Sequence, residues 1–191
     1  GALVAALAAR GLPKSSQMRV VHAGTAVQPH WERRAKLEMQ RNPRYRWIGG
    51  CSAAAVARLM ASSDVLVVSS RSEGGANVIS EAIGLGLPVL ASRVPGNVGL
   101  LGAKYPGYFK MGDTTALGRL LRRAEWDSAF LDHLRNSLAN LVPKFELAAE
   151  RAAWRNLLGE CVCVAKLKIE PAANSRHTGA FRRSQRRKNT M

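Results

Sequence analysis

An apolar run, Val65 to Val68, leads directly into Ser70-Arg71-Ser72-Glu73-Gly74-Gly75-Ala76-Asn77-Val78-Ile79-Ser80-Glu81-Ala82. The order is buried-type strand, glycine-rich turn, helix, and few folds accept it outside a parallel sheet. Glu73 lies in the turn and Glu81 inside the helix, eight positions apart. Between them, backbone N–H groups and the positive end of the helix dipole face outward. Two carboxylates flanking such an N-terminus suit a ligand with hydroxyls on either side of a diphosphate, as a sugar nucleotide has. A lone acid is by default a solvated surface residue. Here the glycines, the preceding strand and the following Gly84, Gly86, Pro88 and Val89 favour the ligand reading.

The same alternation runs along most of the chain. Helices are expected over Ala2 to Arg10, Pro29 to Arg41, Ser52 to Ala61 and Asn77 to Leu85, with Ser52 as an N-cap and Pro29 in a first turn. Three more are expected over Asp113 to Ala124, Ser128 to Leu141 and Phe145 to Leu158. Strands fit Met18 to Ala23, Tyr45 to Ile48, Asp64 to Ser69, Pro88 to Ala91 and Gly107 to Lys110. The fold class is therefore α/β, a Rossmann-like parallel sheet with helices on both faces. Ligands of such sheets bind beyond the carboxyl ends of the strands. Gly24, Gly49-Gly50, Ser70 to Asn77 and Ser92 to Gly99 fall at those ends and can line one crevice.

With 191 residues and 47% apolar content, the chain can build a real core. No apolar run is long enough to span a bilayer. Gly1 to Ala9 has no signal-peptide layout, and the absence of an initiator methionine is expected of a fragment. Cys51, Cys161 and Cys163 give neither a disulfide framework nor a zinc pattern, and a reducing cytoplasm is the default compartment. The net charge of +16 divides unevenly: residues 161–191 hold eight Lys/Arg against one acid, a net of +7. Residues 161–191 are expected to be a disordered basic tail, and residues 1–160 a globular domain. The tail has one aromatic residue, Phe181, so nucleic-acid binding is the weaker reading of its charge.

Glu73, seven residues, Glu81 and then Ala-x-Gly-x-Gly-x-Pro-Val resemble the nucleotide-sugar motif of the retaining GT-B glycosyltransferases (family 4, group 1 type). The likeness covers roughly residues 1–160 and matches the C-terminal, donor-binding half of that two-domain fold. It implies that Glu81 binds the ribose hydroxyls and Glu73 the sugar hydroxyls of a UDP-sugar, while Gly74, Gly75, Ala76 and Asn77 present N–H groups to sugar and phosphates. It also implies that no metal or other cofactor is needed. The family's first strand in this domain, and the basic loop after it, would precede residue 1, as would the whole acceptor domain.

A narrower likeness rests on Asn42 to Trp47, Glu73 to Val78, Ala91 to Arg93, Val98 to Gly102 and Tyr105 to Phe109. These segments resemble the selenosugar synthases of selenoneine biosynthesis. That likeness implies UDP-N-acetylglucosamine as donor and selenophosphate as acceptor. The alternatives are a catalytically inactive UDP-binding domain, a sugar-nucleotide epimerase or phosphorylase on the same fold, and a nucleic-acid or anion binder acting through the tail.

Other residues at the presumed crevice are open to two readings. His22 is a ligand contact or a packed histidine, and Arg71 and Arg93 are phosphate ligands or solvated loop arginines. Trp47 stacks on a base or packs in the core, and Trp31, Trp126 and Trp154 are expected to pack in helices. No residue is assigned a catalytic role.

Overall fold

The computed structural model describes residues 3–72, 74–145, 151, 152 and 154–158. Glu73 and the expected tail, 161–191, lie outside the described residues. The chain divides into two compact units, residues 1–150 and 151–191. In the second, residues 151, 152 and 154–158 are helical and exposed.

The first unit alternates helix and strand as far as α6 and then adds a second helix: α1 (Val4–Arg10), β1 (Val20–Ala23), α2 (Pro29–Arg41), β2 (Tyr45–Gly49), α3 (Ala53–Ala61), β3 (Leu66–Val68), α4 (Asn77–Leu85), β4 (Val89–Ser92), α5 (Pro95–Leu101), β5 (Tyr108–Phe109), α6 (Thr114–Trp126) and α7 (Ser128–Ala139). A 3-10 turn, Val142–Phe145, follows. Every strand pair is parallel. The strands form two sheets, β1-β2 and β3-β4-β5, rather than the single sheet expected. No helix among the described residues is long and apolar enough to cross a membrane.

Local chemistry explains the element boundaries. Ser52 accepts from the Ala55 N–H, Asp113 from Ala116 and Asp127 from Phe130, so α3, α6 and α7 each begin on a side-chain cap. Pro29 opens α2, where its missing N–H costs nothing. Leu117, Leu121 and Ala124 form the buried stripe of α6, and Phe130, Leu134 and Leu138 that of α7. They share one core cluster with Val89, Leu90 and Ala91 of β4, whose four residues are all buried. Tyr105 donates from its hydroxyl to the Val89 carbonyl at 2.8 Å and accepts from the Val89 N–H at 3.1 Å. Burial raises its phenol well above the usual range, so it stays protonated for that bond.

A second, smaller cluster joins Leu3, Ala6, Ala35 and Tyr45, with Val20 and Trp47 packed against it. Its polar floor is satisfied. Asn42, fully buried, donates to the Ala6 carbonyl at 2.8 Å and to Glu38 at 3.0 Å, and Glu38 pairs with Arg10 at 3.0 Å.

Two expectations fail. Trp126 and Trp154 are 54% and 56% exposed, not packed. Trp126 lies past the buried stripe of α6, where the Arg122 guanidinium stands 5.9 Å from its ring centroid. No helix is expected over Ser92 to Gly99, yet Pro95 starts α5 there.

Gly107 marks the tightest backbone approach. A Cβ there would collide with the Val89 carbonyl oxygen and come within 2.7 Å of the Tyr105 ring. Gly107→Ala is therefore expected to cost about 1–3 kcal/mol, as overpacking does. Urea denaturation checks this: an unchanged midpoint would contradict the packing at β4.

Candidate functional site

The carboxyl ends of the parallel strands carry the chain into Gly24, Gly49 and the turn from Ser69 to Ala76. α4 begins one residue after that turn. Its N-cap, Ala76, has no side chain able to accept a hydrogen bond, unlike Ser52, Asp113 and Asp127 at α3, α6 and α7. Ala76 thus supplies no side-chain cap to the first turn of α4, whose N–H groups are suited to an anion from outside.

Gly75 has a φ of +147°, which side-chain-bearing residues rarely adopt. A Cβ at Gly74 would meet nothing within 4 Å, and one at Gly75 only Leu100 at 3.9 Å. The turn is therefore open on the side a ligand would approach. Gly74, Gly75 and Asn77 are exposed, and Ala76 is buried. Glu81 is exposed in the second turn of α4, so the expected ribose contact is sterically accessible. Arg71 is exposed within the turn.

The turn is anchored from beneath by residues the sequence reading did not single out. Ser92, fully buried at the end of β4, donates to the Ser70 carbonyl at 2.7 Å. Asn97 of α5, also fully buried, donates to the Ser92 carbonyl at 2.9 Å and to its hydroxyl at 3.3 Å. Tyr108 donates to the Gly102 carbonyl at 3.0 Å. A polar residue ending an apolar strand was the one available signal for this network. Arg93 is held away from the turn: it donates to the Ala103 carbonyl at 3.1 Å and lies 5.2 Å from the Tyr108 ring centroid.

Two depressions lie near the strand ends. One, of about 260 Å³, is lined by His22, Gly24, Val27, Trp31 and Trp47 together with Leu3. The Trp47 indole N–H donates to the Gly24 carbonyl at 2.8 Å, which fixes the ring at the edge of this space. The other, about 440 Å³, is lined by Arg93, Tyr108, Lys110 and Met111. Neither includes Gly74 to Asn77 or Glu81. The structure thus places His22 and Arg93 in separate spaces and does not bring them together with the turn in one pocket.

The electrostatics of His22 are set by its surroundings. Its Nδ1 lies 2.8 Å from the Tyr45 hydroxyl. Burial, and secondarily the Glu38 carboxylate, push the Tyr45 phenol up to about 12, so Tyr45 keeps its proton, and the tautomer of His22 sets which group donates in this bond. Burial also lowers the His22 pKa, favouring the neutral imidazole.

The sequence matches the family of glycosyl transferases group 1 over residues 2–140. The chain belongs to that family. No curated protein matches it. Among solved structures, it is similar to Anabaena Alr3699/HepE in complex with UDP and glucose, with a TM-score of 0.74 and 20% identity over 84% of this chain and 45% of that one. It is similar also to the sucrose-phosphate synthase of Thermosynechococcus elongatus, with a TM-score of 0.64 and 23% identity over 85% and 42%. A third is WaaG, a glycosyltransferase involved in lipopolysaccharide biosynthesis, with a TM-score of 0.60 and 24% identity over 78% and 41%. These likenesses establish the fold, and the chain spans less than half the length of each structure.

His22 supplies a pH test. Its lowered pKa means that the unfolded chain binds more protons than the folded one as pH falls through about 6.5. Stability is therefore greatest above that value and declines below it, until His22 is protonated in both states. Thermal melts from pH 7.5 to 5 should show a smaller decline for His22→Gln than for the unaltered chain. Equal declines would remove His22 as the source.

Proposed function

We propose that this chain is the donor-binding part of a retaining glycosyltransferase, taking a UDP-sugar at the carboxyl end of its strands. The observation that carries the reading is the N-terminus of α4, to which Ala76 supplies no side-chain cap, entered through Gly74 and Gly75 inside a domain of the group 1 family. In this reading the diphosphate lies against the first turn of α4, where N–H groups and the helix dipole offset its charge as the glycosyl bond breaks. No metal is required for that role. Glu81 accepts from the ribose hydroxyls, and Glu73 accepts from the sugar. Asn77 and the Gly74, Gly75 and Ala76 backbone hold sugar and phosphates. Arg71 lies close enough to the turn in sequence to add a cation. His22 and Trp47 line the space beside Gly24, and in this reading their flat rings face the base. HepE supports the nucleotide assignment in that its structure is described in complex with UDP and glucose.

The finer reading is UDP-N-acetylglucosamine as donor and selenophosphate as acceptor, the product being a 1-selenosugar. Its support is the likeness of Asn42 to Trp47, Ala91 to Arg93 and Tyr105 to Phe109 to selenosugar synthases. The acceptor-binding residues and the other domain would belong to the longer protein.

Calorimetric titration with UDP and with UDP-N-acetylglucosamine tests the site. Saturable binding is expected, weakened by roughly tenfold to a hundredfold in Glu81→Ala, the cost of a charged hydrogen bond. Undiminished affinity in a folded Glu81→Ala chain would overturn the assignment. Gly75→Ala should also weaken UDP binding, because its φ excludes a side chain without strain.

A further inference from the structure

We infer that the outward faces of α2 and α6 form a docking surface for an anionic lipid bilayer. The inference rests on the exposed side chains of those two helices and is independent of the UDP reading.

Tryptophan is on average a well-buried residue, yet Trp126, the last residue of α6, is 54% exposed. The buried stripe of that helix, Leu117, Leu121 and Ala124, leaves the opposite face to solvent. On that face Thr115, Arg119, Arg122 and Trp126 recur at intervals of four, three and four, so they form one row along the helix, and all four are exposed. The Arg122 guanidinium reaches over the Trp126 ring. The nearby acids are engaged elsewhere. Glu125 accepts from the Ser16 hydroxyl at 2.7 Å, and Asp127 pairs with Arg123 at 3.0 Å.

α2 repeats the pattern. Ala35 and Glu38 turn inward, while Arg33, Leu37 and Arg41 follow at every fourth position on the exposed side. Leu37 is 48% exposed between the two arginines. Glu32 pairs with Lys36, and Glu38 is buried against Arg10 and Asn42. Arg33, Arg41, Arg119 and Arg122 form no ion pair among the described residues.

The two helices share a neighbour in α1. Ala6 joins Ala35 in the smaller core cluster, and the Ala8 carbonyl oxygen lies 3.5 Å from where a Cβ at Gly118 would stand. Each row thus lies on a helix of one packed group, turned away from its core.

The chemistry of the rows selects the partner. Four exposed guanidiniums without a carboxylate call for an anionic surface. A nucleic-acid backbone would satisfy them but gives Leu37 nothing apolar to bury against. A peptide needs a groove, and neither depression described above is lined by a residue of these rows. A bilayer supplies every part: headgroup phosphates for the arginines, an acyl layer beneath for Leu37, and the interfacial level that suits an indole. The contact is peripheral, with side chains alone entering the interface.

Flotation of the full chain with vesicles of phosphatidylglycerol and phosphatidylcholine, against phosphatidylcholine alone, tests the surface. Residues 161–191 carry a net charge of +7, and their attraction to the vesicles is common to every variant. Each of Arg33→Gln, Arg41→Gln, Arg119→Gln and Arg122→Gln should lower partition to the anionic vesicles by about fivefold. A charge-matched control, Arg46→Gln with Arg58→Gln on β2 and α3, should lower it by no more than about twofold, because charges away from the contact are screened. Leu37→Ser with Trp126→Ser leaves the charge unaltered. That pair should weaken vesicle binding by about tenfold and leave binding to a single-stranded oligonucleotide unchanged. The inference is overturned if anionic vesicles bind no better than neutral ones, or if the control pair costs as much as two of the four arginines. It is also overturned if Leu37→Ser with Trp126→Ser leaves vesicle binding unchanged, or weakens oligonucleotide binding equally.

Discussion

A parallel strand is most fully covered when both faces are packed and both edges are bonded, and among the described strands β4 is the one that meets that condition. Val89, Leu90 and Ala91 are closed to solvent, with β3 on one side and β5 on the other. Tyr105 bonds both backbone groups of Val89, and Gly107 lets the neighbouring backbone close in. The other strands are less completely covered: β2, β3 and β5 each have one buried residue, and β1 has none.

The candidate site inherits its geometry from β4. Ser92, the last residue of that strand, holds the Ser70 carbonyl, and Asn97 holds Ser92. The glycine-rich turn is thereby fixed at one end by a buried polar network, while Gly74 and Gly75 keep its outer surface clear. A turn that must approach a ligand closely cannot brace itself with its own side chains, so the bracing comes from the adjacent strand and helix. The Arg93 side chain, drawn to Tyr108 and Ala103, belongs to that bracing more than to the crevice.

Much of this was legible in the sequence. Ser52 and Pro29 are helix-start signals that act within their own turn, and both occupy the expected positions. The strand over Val65 to Val68 and the helix from Asn77 follow from period and composition, and the structure begins and ends them within a residue or two. What was not legible depends on partners distant in sequence. The helix Pro95–Leu101 contains two glycines and a proline, which read locally as loop, yet the buried Asn97 amide and Leu101 tie it to the core. The break into two sheets reflects which strand edges find a neighbour, and no local pattern encodes that. Trp126 is apolar by composition but falls past the buried stripe of its helix. Of the candidate site, the turn and Glu81 could be read from spacing. The Ser92–Asn97 support could not, since its meaning lies in a contact with Ser70 across 22 positions of chain. Glu73 lies outside the described residues.

The most direct test of a donor site built on α4 is a map of amide chemical shifts during a UDP titration of this chain. The account predicts saturable shifts centred on Gly74 to Ile79 and Glu81, with further shifts at Gly24, Trp47 and Gly49. Shifts confined to Arg93, Tyr108 and Lys110, or to residues beyond 160, would place the nucleotide elsewhere and contradict it.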